Sequence, residues 1–412
     1  MYARRNGPTL TFGKKTRRGS RWTWGLVLVL LAAILWMVTQ FDQLQQEVLA
    51  MVGEPPAPTL PPNRLAQDAY LKYMEGEMAE AIELYKQAVA QDPKNVDYLF
   101  ELARLLNYRS EKDRAYAEEG LTYAERAITA NPGDPRGYAA KAMALDWLGR
   151  DDEAVTPALQ ALELAPGYAE AHAYLAQIYT DIQRWAQARE IGLRAVQLDP
   201  NSVDARYGYA YSLWYVGLYE EAIQQLSAAE QLHPNFLMIK FYLAALYKSI
   251  DEPQAAIGIY DRILTLDPMN VKAYTRLCAT YFEIREDARA MDYCEQAKDL
   301  DPTYGEAHKW LGQVYYTRRN YESSIEEFQK CIEYGYEAIE CWYLQGLAYY
   351  YIDRCDLAVP ILTEARERPN VPEVVQTMIQ QGFNMCAQDD NPVIAPTRRP
   401  TATPEPTPIG GY

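Results

Sequence analysis

A proline returns every 34 residues through the middle of this 412-residue chain: Pro132, Pro166, Pro200, Pro234, Pro268 and Pro302, with Pro93 standing 39 residues ahead of the first. Proline lacks an amide hydrogen and its ring clashes with the preceding turn, so each one stops a helix. Counting back from these stops divides residues 62–372 into nine helix-turn-helix units and leaves no stretch long enough for a separate catalytic domain. A hairpin of this size cannot bury its own apolar face. The chain therefore has to stack unit on unit, and function has to come from a surface.

Small residues recur in step with the prolines. The unit closing at Pro200 carries Ala176, Ala188 and Ala195, the next carries Ala210, Ala222 and Ala229, and the first carries Ala69, Ala81 and Ala88. Small side chains let antiparallel helices approach, while larger apolar residues three or four positions away fill the gaps. Leu175 with Tyr179, Leu243 with Tyr247 and Leu277 with Tyr281 are such fillers. The period, the Ala and Gly places and the closing Asp-Pro or Asn-Pro together resemble the tetratricopeptide repeat family. Leu311-Gly312-Gln313-Val314-Tyr315 matches its Leu-Gly-x-x-Tyr segment, and Trp342, Gly346, Tyr349 and Ala358 match its Trp, Gly, Tyr and Ala places. The resemblance implies an all-α fold: a right-handed superhelical solenoid of about nine units that binds other proteins. Three departures are legible. The second unit holds five extra residues around Asn107 to Arg114; the eighth has Gly335-Tyr336 where the proline would stand, and a glycine past a helix end can terminate it through a left-handed cap. Pro253 opens a second helix, where it is tolerated, whereas Pro157 falls nearer an interior and predicts a local distortion. Residues 373–386 read as one more amphipathic helix, capping the last apolar face.

The two ends differ sharply from the array. Residues 1–21 hold seven Lys or Arg and no acid. Residues 22–41 then carry no ionisable side chain, a length of about 30 Å as a helix, which matches the thickness of a bilayer core. Trp22, Trp24 and Trp36 fall near its ends, as interfacial aromatics do, and Asp42, Glu47 and Glu54 follow. This asymmetry predicts a single-pass membrane protein with a cytoplasmic amino terminus and extracytoplasmic repeats. No small-x-small site follows the run, which favours an uncleaved anchor over a cleaved signal. Residues 42–61 form a Pro-rich spacer, and residues 387–412, dominated by Pro and Thr, are expected to be disordered.

The net charge of −16 already includes that basic start, so the array is more acidic still. No basic track exists for phosphate, and nucleic acid is excluded as a partner. All six cysteines lie between residues 278 and 386. The antiparallel register pairs Cys331 with Cys341 across one turn and Cys355 with Cys386 where two helix ends meet, leaving Cys278 with Cys294 inside one hairpin. Closing the loop of about 31 residues between Cys355 and Cys386 is worth roughly 3 to 4 kcal/mol in the chain-entropy account. Cys278, Cys294 and Cys331 also sit at packing positions, which free thiols fill equally well. His172, His233 and His308 fall in different units, and no metal or cofactor is implied.

The first helices of such an array line its concave face. Their outer stripe carries Tyr70, Tyr73, Phe100, Arg104, Tyr207, Tyr211, Trp214, Tyr215, Phe241, Phe282, Gln313, Tyr316, Tyr343 and Tyr350, with a basic cluster of Lys272, Arg276 and Lys309 suited to a carboxylate or an acidic segment. The chain has 34 Tyr against 8 Phe, a bias toward rings with a polar handle that suits a partly wet binding surface. Tyr179, Tyr247, Tyr281, Tyr315 and Tyr349 instead recur at one packing position and belong to the core. No phosphate loop, nucleophile elbow or paired-acid site stands out, so an enzyme is not expected. The expectation is a membrane-tethered scaffold whose aromatic groove holds segments of other proteins, with lipid met only through one helix, in the assembly of an envelope complex. The alternative is a glycan ligand in polysaccharide export or wall growth, for which Trp214 with Asp204 would make a ring-and-acid pair.

Overall fold

The structure is a computed structural model describing residues 60–110 and 113–388, together with Trp36. The basic start, the apolar run apart from Trp36, most of the spacer and the Pro/Thr-rich tail lie outside the described residues. Among the described residues there is no strand, and no helix is long and apolar enough to cross a membrane. Nine hairpins follow one another: α1 (Pro62–Glu75) with α2 (Met78–Gln91), α3 (Val96–Arg109) with α4 (Ala115–Ala130), and α5 (Pro135–Trp147) with α6 (Asp151–Leu164). Next come α7 (Ala169–Asp181) with α8 (Trp185–Leu198), α9 (Val203–Tyr215) with α10 (Tyr219–Leu232), and α11 (Leu237–Ser249) with α12 (Pro253–Leu266). The last three are α13 (Val271–Glu283) with α14 (Asp287–Leu300), α15 (Gly305–Thr317) with α16 (Tyr321–Glu333), and α17 (Ile339–Tyr351) with α18 (Cys355–Glu367), after which α19 (Glu373–Gln388) packs on the final hairpin.

Two kinds of stop shape each unit. Second helices end before the periodic prolines, and the next first helix is often capped by a short polar side chain: the Asn95, Asp134, Ser202 and Asn270 side chains each accept a bond from an amide of the first turn. First helices end differently. Gly149, Gln183, Gly217, Asp251, Arg285, Arg319 and Asp353 all have φ between 58° and 77°, again 34 residues apart. The residue after each donates its N–H to a carbonyl five positions back, at 2.7 Å from Arg184 to Tyr179, which satisfies an orphaned helix carbonyl. This second period is almost invisible in the sequence, because only two of these seven positions are glycine. The eighth unit ends through Gly335 at φ 73°, with Tyr336 N–H on the Cys331 carbonyl at 3.1 Å. The distortion expected at Pro157 does not interrupt α6, which runs on to Leu164 with Pro157 buried among Ala154, Ala158 and Ala161.

The core is built from the small periodic residues. Ala69, Ala81, Ala88, Ala176, Ala188, Ala195, Ala222 and Ala229 have no exposed surface. At one place two first helices approach even more closely: a Cβ on Gly208 of α9 would stand 2.6 Å from the Ala173 carbonyl oxygen and 3.0 Å from its Cα on α7. Shortening the spacing between first helices tightens the curve, and here the spiral closes on itself. The Asn235 side-chain amide donates to the Met74 carbonyl at 3.1 Å, Tyr73 meets His233 at 4.4 Å between ring centroids, and Tyr108 meets Phe236 at 5.0 Å. Deeper in the seam, Arg104 Nη1 donates to Asp204 Oδ2 at 3.2 Å across 100 residues, and the Tyr174 hydroxyl donates to Asp204 Oδ1 at 3.3 Å.

In the carboxy-terminal third, disulfides join Cys278 to Cys294 and Cys331 to Cys341, and Cys355 to Cys386 with their Cα atoms 5.6 Å apart. The last of these fixes the start of α18 to the capping helix.

Candidate ligand-binding face

Closure divides the stripe of first-helix residues into an interior and a face. Tyr73, Phe100, Arg104 and Tyr207 are buried in and beside the seam, with Tyr207 3 % exposed and its ring 4.9 Å from that of Tyr242. They pack and do not line an open groove: Tyr73 and Arg104 meet the opposite wall of the spiral at His233 and Asp204, whereas Phe100 packs with Ala103, Ala124 and Ala140 and Tyr207 packs on Tyr242 of the next first helix. Asp204, paired above with Trp214 as a sugar-site acid, is spent on Arg104 and Tyr174. Beyond the seam the face opens in two chemically distinct patches.

The first patch gathers the carboxy-terminal ends of α5, α7 and α9. The Tyr211 hydroxyl donates to Asp181 Oδ1 at 2.8 Å and lies 3.3 Å from the hydroxyl of Tyr215. The Tyr211 and Tyr215 rings are 5.0 Å apart, and Trp214 meets Tyr242 edge-on at 6.0 Å. Tyr211, Trp214 and Tyr215 are half-buried. Asp146 stands close enough for its charge and that of Asp181 both to reach Tyr242. Burial, then the Asp181 and Asp151 charges, push the Asp146 carboxyl well above the usual range. Burial is also the main cause that lifts Asp181 to about 6, against the bond from Tyr211. Neither acid nor Tyr242 was singled out from the sequence. A signal did exist: Asp146 and Asp181 sit in the last turns of successive first helices, where the helix dipole disfavours negative charge.

The second patch runs along α11, α13, α15 and α17. Lys272 Nζ lies 4.5 Å from the Phe241 ring centroid, and burial, helped by the Arg276 charge, lowers its ammonium to about 7. Arg276 Nη1 donates to Glu306 Oε1 at 2.9 Å. The Trp310 indole and the Tyr304 hydroxyl also donate to Glu306. Burial alone would raise that carboxyl, but Arg276 and Lys309 outweigh it and hold it below its ordinary value. Lys309, 7 % exposed, places Nζ 3.6 Å from the Trp310 centroid, and Phe282 meets Trp310 at 6.0 Å. The structure thus brings together Phe241, Lys272, Arg276, Phe282 and Lys309, and adds Glu306 and Trp310. Gln313 and Tyr350 are half-buried further along, while Tyr343 is buried at 9 % exposure. Tyr316 belongs to a separate cluster with Tyr321 and Tyr351, whose rings stack at 4.6 Å. Among the described residues, no group of three or more His, Cys, Asp or Glu is placed to hold a metal ion.

A stack of helical hairpins with a concave ligand face is the architecture of repeat scaffolds. Family profiles described as tetratricopeptide repeat match residues 69–135, 140–203 and 207–271, and a second profile of the same description matches residues 306–334. The chain belongs to the tetratricopeptide repeat family. Among solved structures it is similar to yeast Tom70, with 11 % identity, a TM-score of 0.52 and coverage of 90 % of this chain and 97 % of that one. It is also similar to the APC/C hetero-tetramer Cut9-Hcn1, at 13 % identity and a TM-score of 0.50, covering 84 % and 82 %. A crystal structure of MamA matches 38 % of this chain and 92 % of its own at 27 % identity, with a TM-score of 0.35. At these identities the first two likenesses show the fold alone. No curated protein matches the sequence.

Proposed function

We propose that this protein is a non-catalytic scaffold that holds segments of partner proteins along the open part of its concave face, from Tyr211 to Tyr350. The observation that supports it most is the set of half-buried rings and buried charges that successive first helices carry beyond the seam, in two patches of different chemistry. Rings with polar tips and charges held by Glu306 suit extended polypeptide, which offers both apolar side chains and hydrogen-bonding groups. A glycan site is less well supported, since Asp204 faces away into the seam and the rings of the first patch meet tilted or edge-on, which offers a sugar no flat paired platform.

We further infer that residues 22–41 anchor the chain in a membrane with the repeats on the extracytoplasmic side. The charge asymmetry about that run supports this, as do three disulfides in one array, which persist in oxidising compartments. Photo-crosslinking tests the scaffold role. A benzoylphenylalanine at Gln313 is expected to capture discrete polypeptides, whereas one at Leu193, exposed on a second helix, is expected to capture none. Adducts from position 193 alone would refute the concave-face assignment.

A further inference from the structure

Three tyrosines meet near the carboxy-terminal end of the array, apart from both patches. Tyr316 lies in the last turn of α15, Tyr321 opens α16 and Tyr351 closes α17. The Tyr321 and Tyr351 rings stack at 4.6 Å with 15° between their planes, and Tyr316 meets them edge-on at 5.6 Å and 6.1 Å. All three are half-buried, so the stack keeps an open side. Repeat packing does not call for them, since 34 residues earlier the same places hold Phe282, Asp287 and Thr317. The third disulfide brings the end of the array to this spot. It ties Cys386, in the last turn of α19, to Cys355 with the Cα atoms 5.6 Å apart. Cys355 follows Tyr351 by four residues, at most about 15 Å at 3.8 Å per step, and the Arg354 N–H on the Tyr349 carbonyl at 2.9 Å folds that stretch back. The chain leaving α19 therefore starts within short reach of the stacked rings.

What leaves there is residues 391–412, outside the described residues, with Pro392, Pro396, Pro400, Pro404, Pro406 and Pro408. Proline-rich segments favour a threefold extended helix with no internal hydrogen bonds, and they dock on aromatic walls at little entropic cost. At about 3.1 Å per residue Pro392 reaches about 19 Å from Cys386 and the later prolines further, so each can arrive at the stack. We propose that Tyr316, Tyr321 and Tyr351 form the docking site of the chain's own Pro/Thr-rich tail, residues 391–412, which covers the carboxy-terminal end of the concave face. Arg398 and Arg399 add to the fit. Glu322 and Asp353, exposed and next to the two stacked rings in the chain, enter no ion pair among the described residues. Tethering makes a weak contact sufficient: at an effective concentration of about 1 mM, a site of about 0.1 mM affinity is about nine-tenths filled. The docking does not depend on the partner-binding role, and a partner segment reaching this end of the face has to displace the tail.

Trypsin cleavage between Arg398 and Arg399 in the full chain provides the test, read as release of residues 399–412 and taken relative to a free peptide of residues 391–412. The wild-type tail is expected to be cut about tenfold more slowly than the peptide, and Tyr321→Leu with Tyr351→Leu to remove that protection. Should that variant fail to fold, a tail with its six prolines changed to alanine supplies the second measurement and leaves the array untouched; it is expected to be cut at the rate of its own free peptide. A wild-type tail cut as fast as the peptide, or protection that survives either set of changes, overturns the docking. Protection that is lost on dilution seats the tail on a second copy and overturns docking within one chain. These outcomes involve no partner segment, so each leaves the scaffold role standing.

Discussion

Acid should open the seam that closes the spiral, and His233 is the group through which it acts. The ring is 1 % exposed, wedged 4.4 Å from Tyr73 and 5.3 Å from Phe236. Burial is the main cause that lowers its pKa from 6.5 to about 4; Arg104 and Lys240 add to it, while the carbonyls of His233 and Tyr73 oppose it. Asp204 and Glu101, which hold Arg104, are the other charged groups at this place. A folded pKa below the unfolded one means that the open chain binds the proton first. Stability from the neutral ring is therefore complete above about pH 6.5 and is lost as pH falls through 4. The whole effect is about 3 kcal/mol, of which about 2 kcal/mol falls between pH 7 and pH 5. Asp181, raised to about 6, works in the opposite sense over an overlapping range, so a global unfolding curve would show near cancellation. The assay has to be local and differential: native-state hydrogen exchange of α1 and α11, compared between the wild type and His233→Phe at pH 7 and pH 5. The wild type is expected to lose about 2 kcal/mol of local protection that the variant keeps. Parallel losses in the two proteins would show that the ring does not sense pH, whatever the seam does.

Other consequences are quicker to check. Arg104→Met strands buried Asp204 and should cost about 3 to 5 kcal/mol in denaturant-monitored stability of the first hairpins, whereas adding Asp204→Leu should restore most of it. Gln183→Gly removes a side chain from a left-handed position and should stabilise the fourth hairpin by about 0.5 to 1 kcal/mol, seen as a raised midpoint; a lowered one would count against the cap assignment. Cys355→Ser with Cys386→Ser should free α19 and weaken its docking by roughly 3 to 4 kcal/mol, read as earlier proteolysis after residue 372 with the first hairpins unchanged.

What could be read from the residues alone follows from how far each feature reaches along the chain. The helical hairpins and their Ala-lined contacts depend on neighbours within 34 residues, and the positions of Ala176, Ala188 and Ala195 declare them directly. Closure of the spiral depends instead on a small rotation repeated over five units. That rotation is set by how near first helices can come, as at Gly208 against Ala173. A periodic pattern says which residue faces the next unit but not at what angle, and so Tyr73 and Arg104 look like groove residues until the opposite wall arrives. The left-handed stops escape for a different reason: Gln183, Asp251, Arg285, Arg319 and Asp353 are exposed, and their conformation goes with a backbone hydrogen bond from the next residue to the carbonyl five back, which their side chains do not advertise. Of the candidate face, the rings and the Lys272, Arg276 and Lys309 cluster stood out by residue type, whereas Glu306 and the acidic pair did not, since charged residues are the ordinary currency of an acidic solenoid's surface. Position carries the missing information. Acids in the last turns of two successive first helices oppose the dipole of each helix, so Asp146 and Asp181 stand where a helix is least suited to negative charge, and burial raises both carboxyls.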